Sequence, residues 1–171
     1  MTIHAEHPFL EPESQRDAVR RFRGRLGGTV SLWTAGTGSS RVGLTVSSLM
    51  VANGEPAHVL ALVDPDSDLA DLLQETGTAV VQLLEWPHRD LADAFAGIAP
   101  APGGAFRMGS WEQLSWGPLL VGASAWAGAR LHDVREVGWS LLVDVEVERV
   151  EIGEETAPLV HRRGRYQRPP G

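Results

Sequence analysis

The chain has 171 residues, which is long enough for one well-buried domain and too short for two ordinary ones. Its 15 Lys and Arg against 22 Asp and Glu give a formal net charge of −7, which excludes nucleic acid and anionic membrane as general partners, because like charges repel. The absence of cysteine excludes disulfides, thiolate metal sites and cysteine nucleophiles, so redox chemistry would have to come from a bound cofactor.

The N-terminal part predicts an arm followed by a helix. Residues 1–13 are polar and contain prolines, so we expect a flexible arm, with one domain over residues 14–168. They lack the basic start and apolar segment of an export signal, and no run approaches the roughly 18 apolar residues of a membrane helix, which favours a cytoplasmic protein. Apolar residues at helical spacing over residues 14–26 predict an amphipathic helix whose arginines form a solvated face, ended by Gly27 and Gly28.

After a first strand predicted over residues 28–34, the next strand places three hydroxyl side chains in an apolar sequence. In a strand, Leu44 and Val46 would point to one face and Thr45 and Ser47 to the other. Ser48 interrupts this period, which predicts a bulge or bend that turns two neighbouring backbone N–H groups outward. Hydroxyls and free amides together can bind an anion, although the same residues are also typical of the solvated face of a half-buried sheet.

A second candidate anion site is the start of the next helix. The apolar run at residues 58–63 predicts a central strand, and a helix follows with Leu69, Leu72 and Leu73 on its buried face. Ser67 or Asp68 suits the N-cap position, and a helix N-terminus also favours anions. Three nearby aspartates oppose anion binding, so both roles of Ser67 stay open.

The remaining elements predict an antiparallel arrangement. Three intervening helices, no βαβ rhythm and no glycine-rich nucleotide motif favour a mainly β, antiparallel barrel over a Rossmann sheet. Phe106 and Arg107 lie in the longest irregular segment and are candidate wall residues of a cofactor site. We expect strands at residues 78–84, 119–131 and 138–150, a helix from residue 87, and a closing strand and turn at residues 158–166.

Metal and hydrolase sites are not expected. The six histidines show no ligand spacing beyond His4 and His7, and no Gly-x-Ser-x-Gly motif is present. Six of the eleven aromatic residues are tryptophans, each of which suits a core, a subunit interface or stacking on a planar ring.

Several short motifs occur in the order found in the flavin reductase-like family of FMN-binding split barrels, which the chain resembles over residues 22–166. They are Thr-Val-Ser-Leu-Trp-Thr at 29–34, Gly-Leu-Thr-Val-Ser-Ser at 43–48, Glu-Pro at 55–56, Leu-Leu at 83–84, Leu-Ala-Asp-Ala-Phe-Ala at 91–96, Gly-Pro at 117–118, Pro-Leu-Val at 158–160 and Gly-Arg-Tyr at 164–166.

This resemblance implies an antiparallel split barrel with flanking helices that forms a homodimer and binds FMN, with FAD as an alternative. It implies NAD(P)H as co-substrate, flavin reduction as the activity and a flavin-dependent monooxygenase as a candidate partner. It assigns no catalytic residue. The cofactor-binding residues that it implies are Thr34, Leu44, Thr45, Val46, Ser47, Ser48 and Ser67.

One departure from the family pattern keeps two alternatives open. Many of these reductases carry Gly-Asp-His before the long penultimate strand, with the histidine near the nicotinamide, whereas this chain reads Gly138-Trp139-Ser140. A non-catalytic flavin-binding or carrier protein is therefore the second hypothesis. The third is a split barrel that uses another cofactor, such as a deazaflavin or haem. The sequence does not distinguish NADH from NADPH or FMN from FAD.

Overall fold

The computed structural model describes residues 13–168, so the predicted arm lies outside the described residues except for Glu13. The helices are α1 (Glu13–Leu26), α2 (Asp68–Thr76) and α3 (Arg89–Phe95), and 3₁₀ turns cover Gly38–Ser40, Trp86–His88 and Ala105–Met108. The strands are β1 (Gly28–Thr29), β2 (Ser31–Ala35), β3 (Val42–Val46), β4 (Leu49–Ala52), β5 (His58–Val63), β6 (Thr78–Leu83), β7 (Trp111–Gln113), β8 (Pro118–Leu120), β9 (Ala125–Val137), β10 (Ser140–Ile152), β11 (Val160–Arg162) and β12 (Arg165–Gln167).

Seven strands form one antiparallel sheet in the order β3-β2-β6-β9-β10-β5-β4. The two edge strands, β3 and β4, are consecutive in the chain and are joined by Ser47 and Ser48 alone. The end of β3 and the start of β4 are three residue steps apart, which span at most about 11 Å even when extended, so the sheet must curl until its edges approach each other. The predicted mainly β, antiparallel split barrel is therefore confirmed.

The barrel interior is filled by alternate residues of these strands. Trp33 is fully buried there, and Leu44 and Val46 of β3 pack into the same core. Helix α2 contributes Leu69 and Leu73, which are also fully buried. This packing confirms the predicted alternation of Leu44 and Val46 and the predicted buried face of α2.

A second core lies outside the barrel wall, between the sheet and α3. It contains Leu32, Leu91 and Phe95, together with Phe106 from the long irregular segment and Trp111 from β7. The three aromatic rings pack edge to face at centroid distances of 4.8–5.7 Å. Phe106, predicted as a wall residue of a cofactor site, thus packs in this core, while Arg107 is exposed.

Three predicted strands have different bounds in the structure. The strand expected over residues 28–34 divides at Val30, whose N–H and carbonyl pair with Leu159 and Leu84. The strand expected over residues 119–131 is instead β8 and β9, because a turn at Gly122, with φ of 99°, separates them. The last long strand, expected over residues 138–150, is β10, which begins after a two-residue turn at Gly138 and Trp139.

The closing segment also differs from the expectation of one strand and a turn. β11 and β12 form a hairpin with Arg163 and Gly164 at its two-residue turn, where both have positive φ, 55° and 76°. Such a turn matches the right-handed twist of paired strands. β11 also pairs with β1, which places this hairpin beside the end of α1. Within residues 13–168, no helix is long and apolar enough to cross a membrane.

Candidate functional site

The crossover between the two edge strands, which consists of Ser47 and Ser48, leaves hydrogen-bonding groups available. Within residues 13–168, the backbone N–H groups of Ser47 and Ser48 and the hydroxyl of Ser47 bond to no protein group. The Ser48 hydroxyl donates to the Leu62 carbonyl at 2.7 Å, and the Ser48 carbonyl accepts from the Leu62 N–H at 3.1 Å. The predicted bulge is thus a two-residue connection, because β3 ends at Val46 and β4 pairs on the opposite sheet edge.

Ser47 and Ser48 line a cavity of about 310 Å³ between the crossover, the end of α1 and the C-terminal hairpin. Helix α1 and the residue after it contribute Arg20, Arg23, Gly24, Leu26 and Gly27, and the hairpin contributes His161 and Gly164. This volume is at the lower end of the range of small-molecule sites. Arginine, histidine, hydroxyl and backbone N–H donors make the cavity suited to an anion.

Two arginines of α1 reach this cavity, although the helical pattern predicted only a solvated face. Arg20, Arg23 and Gly27 follow one another at spacings of three and four residues, which places them on one face of the helix. The C-terminal hairpin fixes that face, since the Arg163 N–H donates to the Gly24 carbonyl at 2.9 Å. Periodicity identified the helix but could not show that a hairpin about 140 residues later in the chain would turn these arginines toward Ser47.

Gly28 of β1 packs directly against the Ser47–Ser48 crossover. A Cβ atom on Gly28 would lie 2.6 Å from the carbonyl oxygen of Ser47, which is closer than any real contact. Gly28 also pairs with His161 across β1 and β11. Because Gly28 has no side chain, Ser47 and His161, which both line the cavity, can each lie close to this one residue.

The hydroxyl of Thr45 does not face open solvent, because α3 covers that side of β3. It donates to the carbonyl of Ala92 at 2.6 Å. Thr34 is fully buried, and its hydroxyl donates to the Pro118 carbonyl at 2.5 Å and accepts from Gln82 at 2.9 Å. Of the seven predicted cofactor-binding residues, the structure brings Ser47 and Ser48 to the cavity.

Ser67 caps helix α2, as predicted. Its hydroxyl accepts from the Ala70 N–H at 3.2 Å and donates to the Asp64 carbonyl at 2.7 Å. Both functions of the hydroxyl are therefore occupied within the loop and the first helical turn, and Ser67 does not line the cavity at Ser47. Its capping role explains why serine suits this position.

Trp139 occupies the tip of the β9–β10 hairpin, where 68% of its surface is exposed. Gly138 precedes it with φ of 56°, and the pair forms the two-residue turn. The indole that replaces part of the family's Gly-Asp-His is therefore an exposed ring on a hairpin tip.

Two partly buried side chains, His88 and Tyr166, have shifted pKa values. His88 lies beside a second cavity of about 410 Å³, where burial lowers its pKa and the Glu85 N–H donates to its Nδ1 at 2.9 Å. Burial raises the pKa of Tyr166, whose hydroxyl donates to Asp93 at 2.7 Å and so ties the C-terminal hairpin to α3. Among residues 13–168, no group of three His, Cys, Asp or Glu side chains is placed to bind a metal ion.

Comparison with known proteins identifies the family. The model of the flavin reductase like domain matches residues 23–170, so the chain belongs to this family. It is 27% identical over 154 residues to the 4-hydroxyphenylacetate 3-monooxygenase reductase component of Pseudomonas aeruginosa, covering 89% of each chain. It is 29% identical over 163 residues to the FMN reductase (NADH) RutF of Ancylobacter novellus, covering 95% of this chain and 87% of that protein.

Solved structures agree with this assignment. The NADH:FAD oxidoreductase SgcE6 of Streptomyces globisporus C-1027, in complex with NAD and FAD fragments, superposes with a TM-score of 0.81 at 25% identity. The match covers 93% of this chain and 95% of SgcE6. The fold, the order of the motifs and the family membership are therefore consistent over nearly the whole chain.

Proposed function

We propose that this chain is a flavin reductase that transfers hydride from NADH to FMN, with FAD as an alternative flavin. The observation that carries this proposal is family membership over residues 23–170, together with relatives named as NADH-dependent FMN reductases that align over almost the entire chain. A flavin-dependent monooxygenase is the proposed acceptor of reduced flavin, because other relatives are named as reductase components of a monooxygenase.

Within this proposal, Ser47 and Ser48 contact the flavin phosphate or the edge of its ring. The support is chemical, since a partly exposed hydroxyl and two backbone N–H groups without protein partners are donors for an anion or a carbonyl oxygen. Thr34 would act mainly by fixing β2, and Leu44, Thr45 and Val46 by fixing β3, through their buried contacts. Ser67 remains the second candidate for the phosphate.

The flavin, when bound, supplies the hydride acceptor, and the protein supplies position and surroundings. Hydride transfer depends chiefly on holding the two reacting atoms close together, so it needs no acid or base at the site. The crossover residues would orient one ligand, and the cavity wall would exclude water from it. The absence of the family's histidine from Gly138-Trp139-Ser140 is compatible with such a mechanism.

The activity is tested by mixing the purified protein anaerobically with FMN and NADH, and separately with NADPH. We expect the visible flavin absorbance to bleach under turnover with NADH. Failure of both donors to bleach FMN would contradict the proposal.

The second candidate function is a flavin carrier without reductase activity, which Gly138-Trp139-Ser140 in place of the family's Gly-Asp-His favours. Tight FMN binding without oxidation of NADH or NADPH would support it. A barrel that uses deazaflavin or haem is distinguished by the absorption spectrum of the purified protein.

Replacing Ser47 and Ser48 together with alanine should weaken FMN binding at least about tenfold, because charge-assisted hydrogen bonds contribute about 1.5–3 kcal/mol each. Fluorescence quenching gives the affinity. Ser48→Ala alone should also lower the free energy of unfolding by about 1 kcal/mol, since its bond to Leu62 is lost. Ser40→Ala, which removes a hydroxyl bonded to the Thr37 carbonyl, is the control. An unchanged FMN affinity in the double variant would show that the flavin site lies elsewhere, and Ser67 would be tested next.

We also propose a homodimer, supported by an apolar patch on the outer face of the barrel. Met50 and Leu62 are 67% and 40% exposed. Met50 pairs with Leu60 across β4 and β5, and Leu62 pairs with Leu142 across β5 and β10. Exposed apolar patches of this kind mark protein interfaces. We expect light scattering to give a dimer for the wild type and a monomer for Leu62→Glu. Ile98→Glu, at an exposed apolar residue after α3, should stay dimeric. A monomeric wild type with bound flavin would contradict this proposal.

A further inference from the structure

We infer that Arg20 and Arg23 bind a phosphate group of the nucleotide from the side of the cavity opposite the crossover. This inference rests on the proposed function and adds residues to it. The two guanidinium groups line the same cavity as Ser47 and Ser48. Arginine presents several N–H donors in a rigid fork that matches phosphate geometry, and its charge persists at every physiological pH.

The charge distribution around the cavity supports this role. The chain carries a net charge of −7, yet the side chains described from residue 18 to residue 168 line this cavity with two arginines and His161 and with no carboxylate. Among the side chains that the structure describes from residue 18 to residue 168, no ion pair involves Arg20 or Arg23. The two arginines have no described acidic partner, and they face hydroxyl and N–H donors. The cavity therefore carries uncompensated positive charge, which an anionic ligand would neutralise.

The contacts that hold α1 position Arg20 and Arg23 but do not use their side chains. The helix is held at its C-terminal end, where the Gly24 and Arg25 carbonyls accept from the backbone of Arg163 and the side chain of Arg162. Arg20 and Arg23 themselves are exposed and make no hydrogen bond to the described residues. Their side chains are therefore available to a ligand, while the backbone that carries them is fixed.

The phosphate could belong to FMN, which carries a phosphate, or to NADH, which carries a diphosphate, and the experiment separates these sources. Arg20→Gln/Arg23→Gln and each of its single variants are compared with Arg21→Gln, which removes one positive charge from the same helix at a residue that does not line the cavity. Affinities for FMN and for riboflavin, which lacks the phosphate, are measured by fluorescence quenching. The KM for NADH is measured at saturating FMN.

We expect the double variant to lose at least about tenfold in FMN affinity while its riboflavin affinity stays at the Arg21→Gln value. A rise in KM for NADH of similar size with unchanged FMN affinity would assign the arginines to the dinucleotide phosphates instead. The inference is overturned if neither quantity differs from the Arg21→Gln control, or if FMN and riboflavin affinities fall equally. A wild-type protein that binds flavin but oxidises no NADH would overturn the proposed reductase activity alone, since the flavin comparison needs no donor.

Discussion

Replacing Gly28 with alanine is expected to weaken FMN binding by at least about tenfold and to lower the free energy of unfolding by about 1–3 kcal/mol. The new Cβ would lie 2.6 Å from the carbonyl oxygen of Ser47, and a backbone atom cannot move aside as a flexible side chain can. Relief of the clash must shift either the Ser47–Ser48 crossover or β1, which pairs with His161. Both movements change the walls of the cavity.

Urea denaturation and FMN fluorescence quenching measure the two effects of Gly28→Ala. The control is Gly24→Ala, because Gly24 lines the same cavity and its added Cβ would approach Arg163 only to 3.6 Å, an ordinary contact. Since Gly24 lies in α1, this control should gain about 0.5–1 kcal/mol of stability. Wild-type stability and FMN affinity in Gly28→Ala would show that the crossover does not form the site.

Replacing Gln82 with alanine should lower the free energy of unfolding by about 2–5 kcal/mol. The Gln82 amide is fully buried, donates to Thr34 at 2.9 Å and accepts from the Leu120 N–H at 2.7 Å. Its removal leaves the Leu120 N–H without a partner in a region that water does not reach, and it also leaves a cavity. This one side chain ties β8 to the barrel wall.

Denaturation with urea measures this loss, and Gln74→Ala is the control. The Gln74 amide donates to the Ala70 carbonyl on the partly exposed side of α2, so its loss should change the stability by about 0.5 kcal/mol or less. Because Gln82 and Thr34 do not line the cavity, FMN affinity of the folded Gln82→Ala protein should stay near that of the wild type. Equal stabilities of the two variants would contradict the assigned network.

The elements that local patterns determine were predicted well. Helix α2 was predicted with Ser67 as one of two candidate N-caps and with its buried Leu69 and Leu73, because capping and periodicity act within one or two turns. The errors fall where apolar runs continue through a turn. Residues 119–121 read as the start of a long strand, but Leu120 belongs to β8 in the second core, and the turn at Gly122 precedes β9.

The candidate site was predicted only in part, because it is assembled by long-range contacts. Resemblance and local pattern both pointed to Ser47 and Ser48, and the structure places them at the cavity. The hydroxyl of Thr45 is instead used by the Ala92 carbonyl, which no strand pattern could indicate. Arg20 and Arg23 are exposed, as the helical pattern predicted, but their place at the cavity could not be predicted, because the sequence of a helix does not show which distant hairpin will pack against its end.

The central claim, that the nucleotide site is the cavity at the Ser47–Ser48 crossover, is tested most directly by titrating FMN into ¹⁵N-labelled protein and following the backbone amide resonances. The amides of Ser47 and Ser48 bond to no described protein group, so a ligand that they contact should shift them more than the amides of the barrel core. We predict the largest changes at Ser47, Ser48, Gly27 and Gly164. Saturable FMN binding that leaves these four resonances in place and shifts those around Ser67 or His88 would contradict the account.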